Sequence, residues 1–332
     1  MQALVTGGTG FIGNHVVRTL IRQGLDVRVL VRPTSNRQGL KDIPVTFLEG
    51  SLNDPGSLEQ AVADIDVLFH VAADYRFWVP DPQQMWEVNV GGTRRLLETA
   101  MKAGVQRMVY TSSGVTVRCS DTQLGTEEDF VFPEECRSVY QRTKVLAEQT
   151  VWELIRQGAP ITIVNPTTPI GGWDLKPTPT GRLIVDFLNG RLPAYLDAVF
   201  NWIAVEDVAF GHWLAAEKGR CGERYILGHE NRSLEEVLAL LGEVSGQTPP
   251  RFKIPYAVAY IAGAAGEMMG RLSGREPRAS LDGVRMAGQP MRYDSRKAMS
   301  ELGLPQTSLR KAMEEAVNWF RQHGYTTQGE TR

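Results

Sequence analysis

The sequence predicts an α/β fold, a doubly wound parallel sheet joined to a smaller, mainly helical part. Two observations carry the prediction. Over the first 165 residues, short apolar runs alternate with helical stretches in strict rotation. Strand, helix, strand in that order makes right-handed crossovers and a parallel sheet covered on both faces. The first unit, ALVTGGTGFIG, also sets a glycine-rich loop between strand and helix, where such sheets receive phosphates.

The elements follow in order. Expected strands are 3–6, 27–31, 45–48, 67–71, 107–112 and 161–165, and expected helices lie near 12–23, 55–63, 83–103 and 139–157. After Asn165 the pattern changes to a Pro-, Gly- and Thr-rich stretch, and NWIAVEDVA and RYILG read as further strands or strand ends. The C-terminal third reads as helical. It closes near 307–322, where Leu309, Met313, Ala316, Val317 and Phe320 make an apolar stripe, a core face at helical spacing. The expected division is a dinucleotide-binding domain, 1–165 with return segments about 200–228, and a substrate-binding part, 166–199 and 229–332.

Composition narrows the function classes. The chain is 42% hydrophobic and 22% charged, with net charge -2 from 36 basic and 38 acidic residues. That suits a globular protein with a sizeable core and argues against nucleic acid as partner. MQALVTGGTG runs straight into a strand pattern, so no signal peptide is expected. Three scattered cysteines, Cys119, Cys136 and Cys221, lack CxxC spacing and suit a reducing cytoplasm. The histidines are scattered too, so no metal is assigned. The apolar segment 254–270 is uncharged only as far as Glu267, short of the roughly 20 residues that a membrane span needs. It reads either as a core or interface helix or as a surface helix touching lipid or a greasy substrate.

Gly7, Gly10 and Gly13 follow the first strand at G-x-x-G-x-x-G spacing. The first permits a tight turn, the second lets backbone approach a pyrophosphate, and the third lets helix and strand pack closely. The second strand ends in VLVRPTSNR. An acidic residue at that end would bind the ribose hydroxyls of NAD. Arg32 stands there instead, and an arginine accommodates the 2′-phosphate of NADP. The expected cofactor is therefore NADP(H), with NAD(H) as the alternative if Arg32 is merely a solvated strand end.

The fifth strand ends in YTSSGVTV, and SVYQRTK follows. Tyr140 and Lys144, four apart on a helix, share a face. A phenol near pKa 10 is a poor acid–base group at neutral pH. A lysine about 4 Å away at an effective dielectric near 20 would favour its ionised form by about 4 kcal/mol. Ser113 would hydrogen-bond the reacting oxygen. Tyr293 and Lys297 repeat the spacing, but far beyond the cofactor unit and with no serine-bearing strand before them, so they are not assigned a catalytic role.

These motifs together resemble the extended short-chain dehydrogenase/reductases. The resemblance runs through TGGTGFIG, HVAA (70–73), NVGGT (89–93), YTSS, Y-x-x-x-K, NP (165–166), IAVEDVA (203–209) and 297–320. VRPTSNR, HVAADYRFW and NPTTPIGGWDLKPTPTGR are most similar to the hopanoid-associated sugar epimerase group, itself close to dihydroflavonol 4-reductase-like proteins. The resemblance implies a Rossmann-type fold with Ser113, Tyr140 and Lys144 as catalytic trio. It implies that Asn89 supports the proton-relay helix, or else caps it locally, and that Val71, Ala72 and Ala73 line the cofactor. Thr9, Phe11, Ile12, Leu52, Thr111, Ser112, Asn165, Pro166 and Thr168 complete the candidate cofactor contacts. One departure is Ser51, where many relatives carry an aspartate that binds adenine. Serine there is either an uncharged acceptor or a simple turn residue.

Substrate should lie beyond the carboxyl ends of the strands. Asp74, Tyr75 and Trp78 follow the fourth strand, Thr167 follows the sixth, and Lys176 and Arg182 sit in a Pro-rich stretch read as a lid. The two cations suit a sugar-nucleotide diphosphate, or are solvated loop charges. Three activities share this layout: a sugar-nucleotide epimerase returning its hydride, an NADPH-dependent ketone or aldehyde reductase, and a non-catalytic NADP sensor. The resemblance also implies a homodimer built on the helices near 83–103 and 139–157.

Overall fold

The structure, a computed structural model, describes residues 1–274, 277 and 280–326. The chain opens with β1 (Gln2–Thr6), α1 (Phe11–Arg22), β2 (Asp26–Val31), β3 (Val45–Glu49), α2 (Pro55–Val62) and β4 (Val67–His70). It continues through α3 (Pro82–Trp86), α4 (Thr93–Lys102), β5 (Arg107–Thr111), α5 (Val139–Arg156) and β6 (Ile161–Pro166). Next come β7 (Thr168–Ile170), α6 (Pro179–Leu188), β8 (Ala194–Leu196), β9 (Val199–Ala204), α7 (Val205–Lys218), β10 (Arg224–Leu227) and β11 (Glu230–Ser233). The last elements are α8 (Leu234–Ser245), β12 (Phe252–Ile254), α9 (Tyr256–Ser273), α10 (Leu281–Ala287) and α11 (Leu309–Gln322).

Seven parallel strands form the central sheet in the order β10-β6-β5-β4-β1-β2-β3. The chain winds outward from β1 in both directions, so β1 and β4 flank the crevice where the order reverses. Alternation along the strands explains the two covered faces. Val5, Val29, Phe69 and Val109 pack on one side with Val16, Val17 and Leu20 of α1 and Val208 and Leu214 of α7. Leu4, Leu30, Leu68, Met108 and Tyr110 pack on the other with Leu58 of α2, Leu96 of α4 and Val151 of α5. Strand side chains point alternately to opposite faces, and both faces are dry here, so the strands read as continuous apolar runs.

The helix expected over 83–103 is present but not uniform. Between α3 and α4, Glu87–Gly92 is wound as a π-helix, a feature often found at functional sites. NWIAVEDVA divides at Val205 into the end of β9 and the start of α7. A second layer of β7, β9 and β11 packs with α6, α8 and α11, where Leu309, Met313, Ala316, Val317 and Phe320 are buried as their spacing predicts. The 254–270 segment begins at the end of β12 and is otherwise α9, and most of its large apolar side chains are exposed.

Candidate active site

The glycine loop closes tightly on β1. Gly7 has φ +72°, which favours glycine, and a Cβ there would lie 2.7 Å from the Ala72 backbone. A Cβ on Gly13 would lie 2.1 Å from the Gly7 carbonyl. Gly10, whose N–H donates to that carbonyl at 2.9 Å, meets nothing closer than 3.3 Å. It is also the N-cap of α1, with no side-chain cap and no acidic residue in the first turn. The free N–H groups and open glycine fit a dinucleotide pyrophosphate. Around this mouth, Thr9, Ile12, Ser51, Leu52 and Val71–Ala73 are half-buried at the carboxyl ends of their strands or just beyond, while Phe11 is buried. The Ser51 hydroxyl accepts from the Asn53 N–H at 3.2 Å, the local turn that one reading of this position expected.

Arg32 is exposed at the end of β2, where its backbone closes a turn with Ser35. Its guanidinium has no protein partner among the described residues. Arg37 is engaged by Glu49 and lies over the Phe47 ring, so it is not a second free donor.

Ser113 lies two residues past the end of β5, and Tyr140 and Lys144 rise from the first turns of α5. Ser138 caps that helix, accepting from Gln141 N–H at 3.0 Å, and Asp282 accepts from Val139 N–H at 2.9 Å. The Ser113 side chain lies beside the Tyr140 phenol and acts on its titration. Burial raises the phenol pKa, and Ser113 lowers it only in part. Lys144 Nζ donates to the Thr111 carbonyl at 2.9 Å and to Tyr110 Oη at 3.4 Å. The ammonium is drawn back to the strand carbonyl and to the Glu148 side of α5. Desolvation lowers Lys144 to about 8, with Glu148 opposing that shift. Asn89, in the π-segment, donates to the Asp74 carbonyl at 2.8 Å and to Thr143 Oγ1 at 3.0 Å, and accepts from Asp74 N–H at 2.7 Å. It ties α5 to the loop after β4.

Behind the trio lies a buried cluster that the sequence reading missed. Glu148 and Arg224 pair at 2.8 Å with side chains 4% and 1% exposed. Glu148 also accepts from Thr116 at 2.7 Å, Asn165 at 3.0 Å and Ser112. Asn165 also donates to the Ser113 carbonyl at 3.1 Å. The Ser112 hydroxyl and the Asn165 amide, both candidate cofactor contacts, thus face the buried carboxylate. Thr111 is buried too, its hydroxyl on His212 at 2.9 Å, and Pro166 is wholly within the sheet. Thr168 is half-buried in β7. Lys144 and Glu148 stand four apart on one helix, a signal that was available; nothing local points to Arg224.

On the substrate side, Phe77 packs edge-on against Tyr140 at 5.9 Å between centroids, a neighbour that the sequence reading passed over. Asp74 is held by Arg76, with Nε to its oxygens at 2.9 and 3.1 Å. Tyr75 is pushed up to about 12 by burial, with Asp174 adding to the rise and Arg182 opposing it. Trp78 is half-buried. Asp174, also unforeseen, is buried, accepts from Thr178 N–H at 2.8 Å and its hydroxyl at 2.7 Å, and is raised by desolvation to about 6. Arg182 belongs to α6, not to a loop, because Thr178 and Pro179 start a helix there; its Nε donates to the Pro177 carbonyl at 3.3 Å. Lys176 is exposed. The Thr167 hydroxyl donates to Asn201 at 2.9 Å, so it is turned into the second layer. Tyr293 packs against Gly114, whereas Lys297 binds Glu223 at 2.6 Å, so that pair does not act together.

Fold and site define an extended short-chain dehydrogenase/reductase. Residues 3–228 match the NAD dependent epimerase/dehydratase family, and the chain belongs to it. It is 44% identical over 326 residues to a putative dihydroflavonol 4-reductase of Synechocystis sp., covering 97% of this chain and 95% of that one. It is 36% identical to sterol demethylase protein B of Methylococcus capsulatus, covering 98% and 99%. The solved structure of gox2253 is 42% identical, with TM-score 0.87 and coverage of 98% and 99%. The chain is thus an enzyme of a NAD-dependent oxidoreductase, epimerase and dehydratase family.

Proposed function

We propose that this chain is an NADPH-dependent reductase of an apolar ketone or aldehyde. Arg32 carries the reading. Its guanidinium stands exposed at the end of β2 without a protein partner among the described residues, while Arg37 beside it is held by Glu49. A free planar fork of donors there suits a ribose phosphate. Net reduction consumes its cofactor, whereas an epimerase returns it. The names of the two relatives, a reductase and a sterol-processing protein, agree with a carbonyl on an apolar skeleton. Phe77 against Tyr140, in the same loop as Tyr75 and Trp78, offers such a skeleton an aromatic surface.

The bound dinucleotide supplies the hydride. Ser113 holds the carbonyl oxygen, and Tyr140 Oη gives that oxygen its proton. The cationic Lys144, anchored on Thr111 and Tyr110, favours the resulting phenolate at longer range than contact. Asn89 keeps α5 in register with the substrate loop. The second reading, a hopanoid-associated sugar epimerase-like activity, rests on the family's name and on Lys176, exposed and without a partner among the described residues, as a diphosphate contact. Arg32→Ala tests the first reading. One charge-assisted hydrogen bond is worth about 1.5–3 kcal/mol, so the NADPH over NADH preference in kcat/KM should fall about ten- to a hundred-fold. An unchanged preference sinks the assignment.

A further inference from the structure

The residue after Tyr140 is a buried glutamine. Gln141 is 4% exposed, and burying a side-chain amide is costly unless its polar atoms are paired. Here both ends are paired. Its Oε1 accepts from the Arg137 N–H at 3.0 Å, and its Nε2 donates to the Val115 carbonyl at 3.1 Å. An amide set between an N–H and a carbonyl has its orientation fixed by them. Gln289 adds longer contacts of 3.4 Å to both atoms. The backbone N–H of Gln141 binds Ser138, the cap of α5. Gln141 is thus held in the first turn of α5 and reaches across to the segment after β5.

That segment carries Ser113. Gly114–Thr116 form a single 3-10 turn, and Ser113 caps it. Val115 is the middle residue of the turn, and its N–H donates to Ser113 Oγ at 3.3 Å. The Ser113 carbonyl accepts from the Thr116 N–H and from the Asn165 amide, both at 3.1 Å. Thr116 Oγ1 in turn binds Glu148 at 2.7 Å. A serine hydroxyl has two acceptor lone pairs and one donor. The Val115 N–H occupies an acceptor position, which leaves the O–H to donate to a reacting oxygen. Val115 therefore has its N–H on Ser113 and its carbonyl on the residue next to Tyr140.

We propose that Gln141 is a positioning residue: through Val115 it fixes the Ser113 hydroxyl as a hydrogen-bond donor in register with Tyr140. The inference rests on Ser113 and Tyr140 acting together on one oxygen, so it goes with the reductase and the epimerase readings alike. Such groups must be held to within about 0.5 Å, and the tie through Val115 supplies part of that precision. Two measurements test it. Deuterium exchange of the full chain needs no substrate. Gln141→Met keeps the length of the side chain but cannot donate, and exchange over 114–117 should quicken about two- to ten-fold, the range for one hydrogen bond. Unchanged exchange overturns the proposal. Kinetics then follow NADPH oxidation with acetophenone, with Gln141→Met made in the wild type and in Ser113→Ala. In the wild-type background kcat should fall about two- to ten-fold with the KM for NADPH unmoved. In Ser113→Ala it should fall no further, because Gln141 acts through that serine. An equal loss in both backgrounds, or a KM for NADPH that rises with it, marks a merely structural role and overturns the proposal. Gln141→Glu keeps the acceptor for the Arg137 N–H and lacks the donor, so it carries both measurements if Gln141→Met does not fold. A wild type that leaves acetophenone unreduced counts against the ketone reading alone, and exchange still decides on Gln141.

Discussion

Glu148→Gln should weaken both the fold and the catalytic lysine. The carboxylate accepts from Arg224, Thr116, Asn165 and Ser112. Neutralising it leaves a guanidinium 1% exposed without a counter-charge, and sets an amide N–H₂ against donors that expect an acceptor. Breaking a buried pair from one side costs about 3–5 kcal/mol, a large share of the roughly 5–15 kcal/mol that holds a typical domain. Urea unfolding measures that loss. Arg224→Met with Glu148→Gln should recover part of it, because the stranded charge is then gone. Catalysis supplies a second readout that a purely structural role would not move. Glu148 raises Lys144 against desolvation, so the variant should shift the alkaline limb of its pH–rate profile to lower pH than the wild type. A stability loss below about 1 kcal/mol together with an unmoved limb would refute the reasoning.

Tyr140→Phe should cost about 10²–10⁴-fold in kcat, the usual range for general acid catalysis, with cofactor affinity retained by fluorescence titration; wild-type turnover would remove Tyr140 from the mechanism. Lys144 gives a linkage prediction. Its folded pKa, about 8, lies below its ordinary 10.5, so the unfolded chain binds the extra proton between those values and stability rises with pH there. Relative to Lys144→Met, the wild type should gain about 2 kcal/mol between roughly pH 7.5 and 9.5, read from paired urea titrations; a gain of the opposite sign would contradict the burial of the ammonium.

How much was legible depended on whether the cause was local. The sheet and its crossovers were readable because both faces are buried, so β1, β2, β4, β5 and β6 appear as predominantly apolar runs at the expected places, with Arg28 the interruption in β2. Gly7 and Gly13 were readable because each answers to backbone only a few residues away or to the neighbouring strand. Arg224 was not, since its carboxylate partner is 76 residues distant and an arginine in RYILG carries no sign of burial. Lys144 shows a subtler limit. The spacing put it on the face of Tyr140, but the carbonyl of Thr111 decides where the ammonium points. Helix α9 had the right content with two readings open, because an apolar helix with glycines can face either way until its packing is known. The start of α6 turned on Thr178 and Pro179, an N-cap followed by a first-turn proline, which makes Arg182 helical where composition suggested a lid.

The central claim is net carbonyl reduction by NADPH, and counting product against cofactor tests it most directly. Purified enzyme should be given a panel of apolar ketones with NADPH, and separately sugar nucleotides with catalytic cofactor. The account predicts one NADPH consumed per alcohol formed with at least one ketone, and no epimer exchange. Interconversion of sugar-nucleotide epimers without cofactor loss would contradict it.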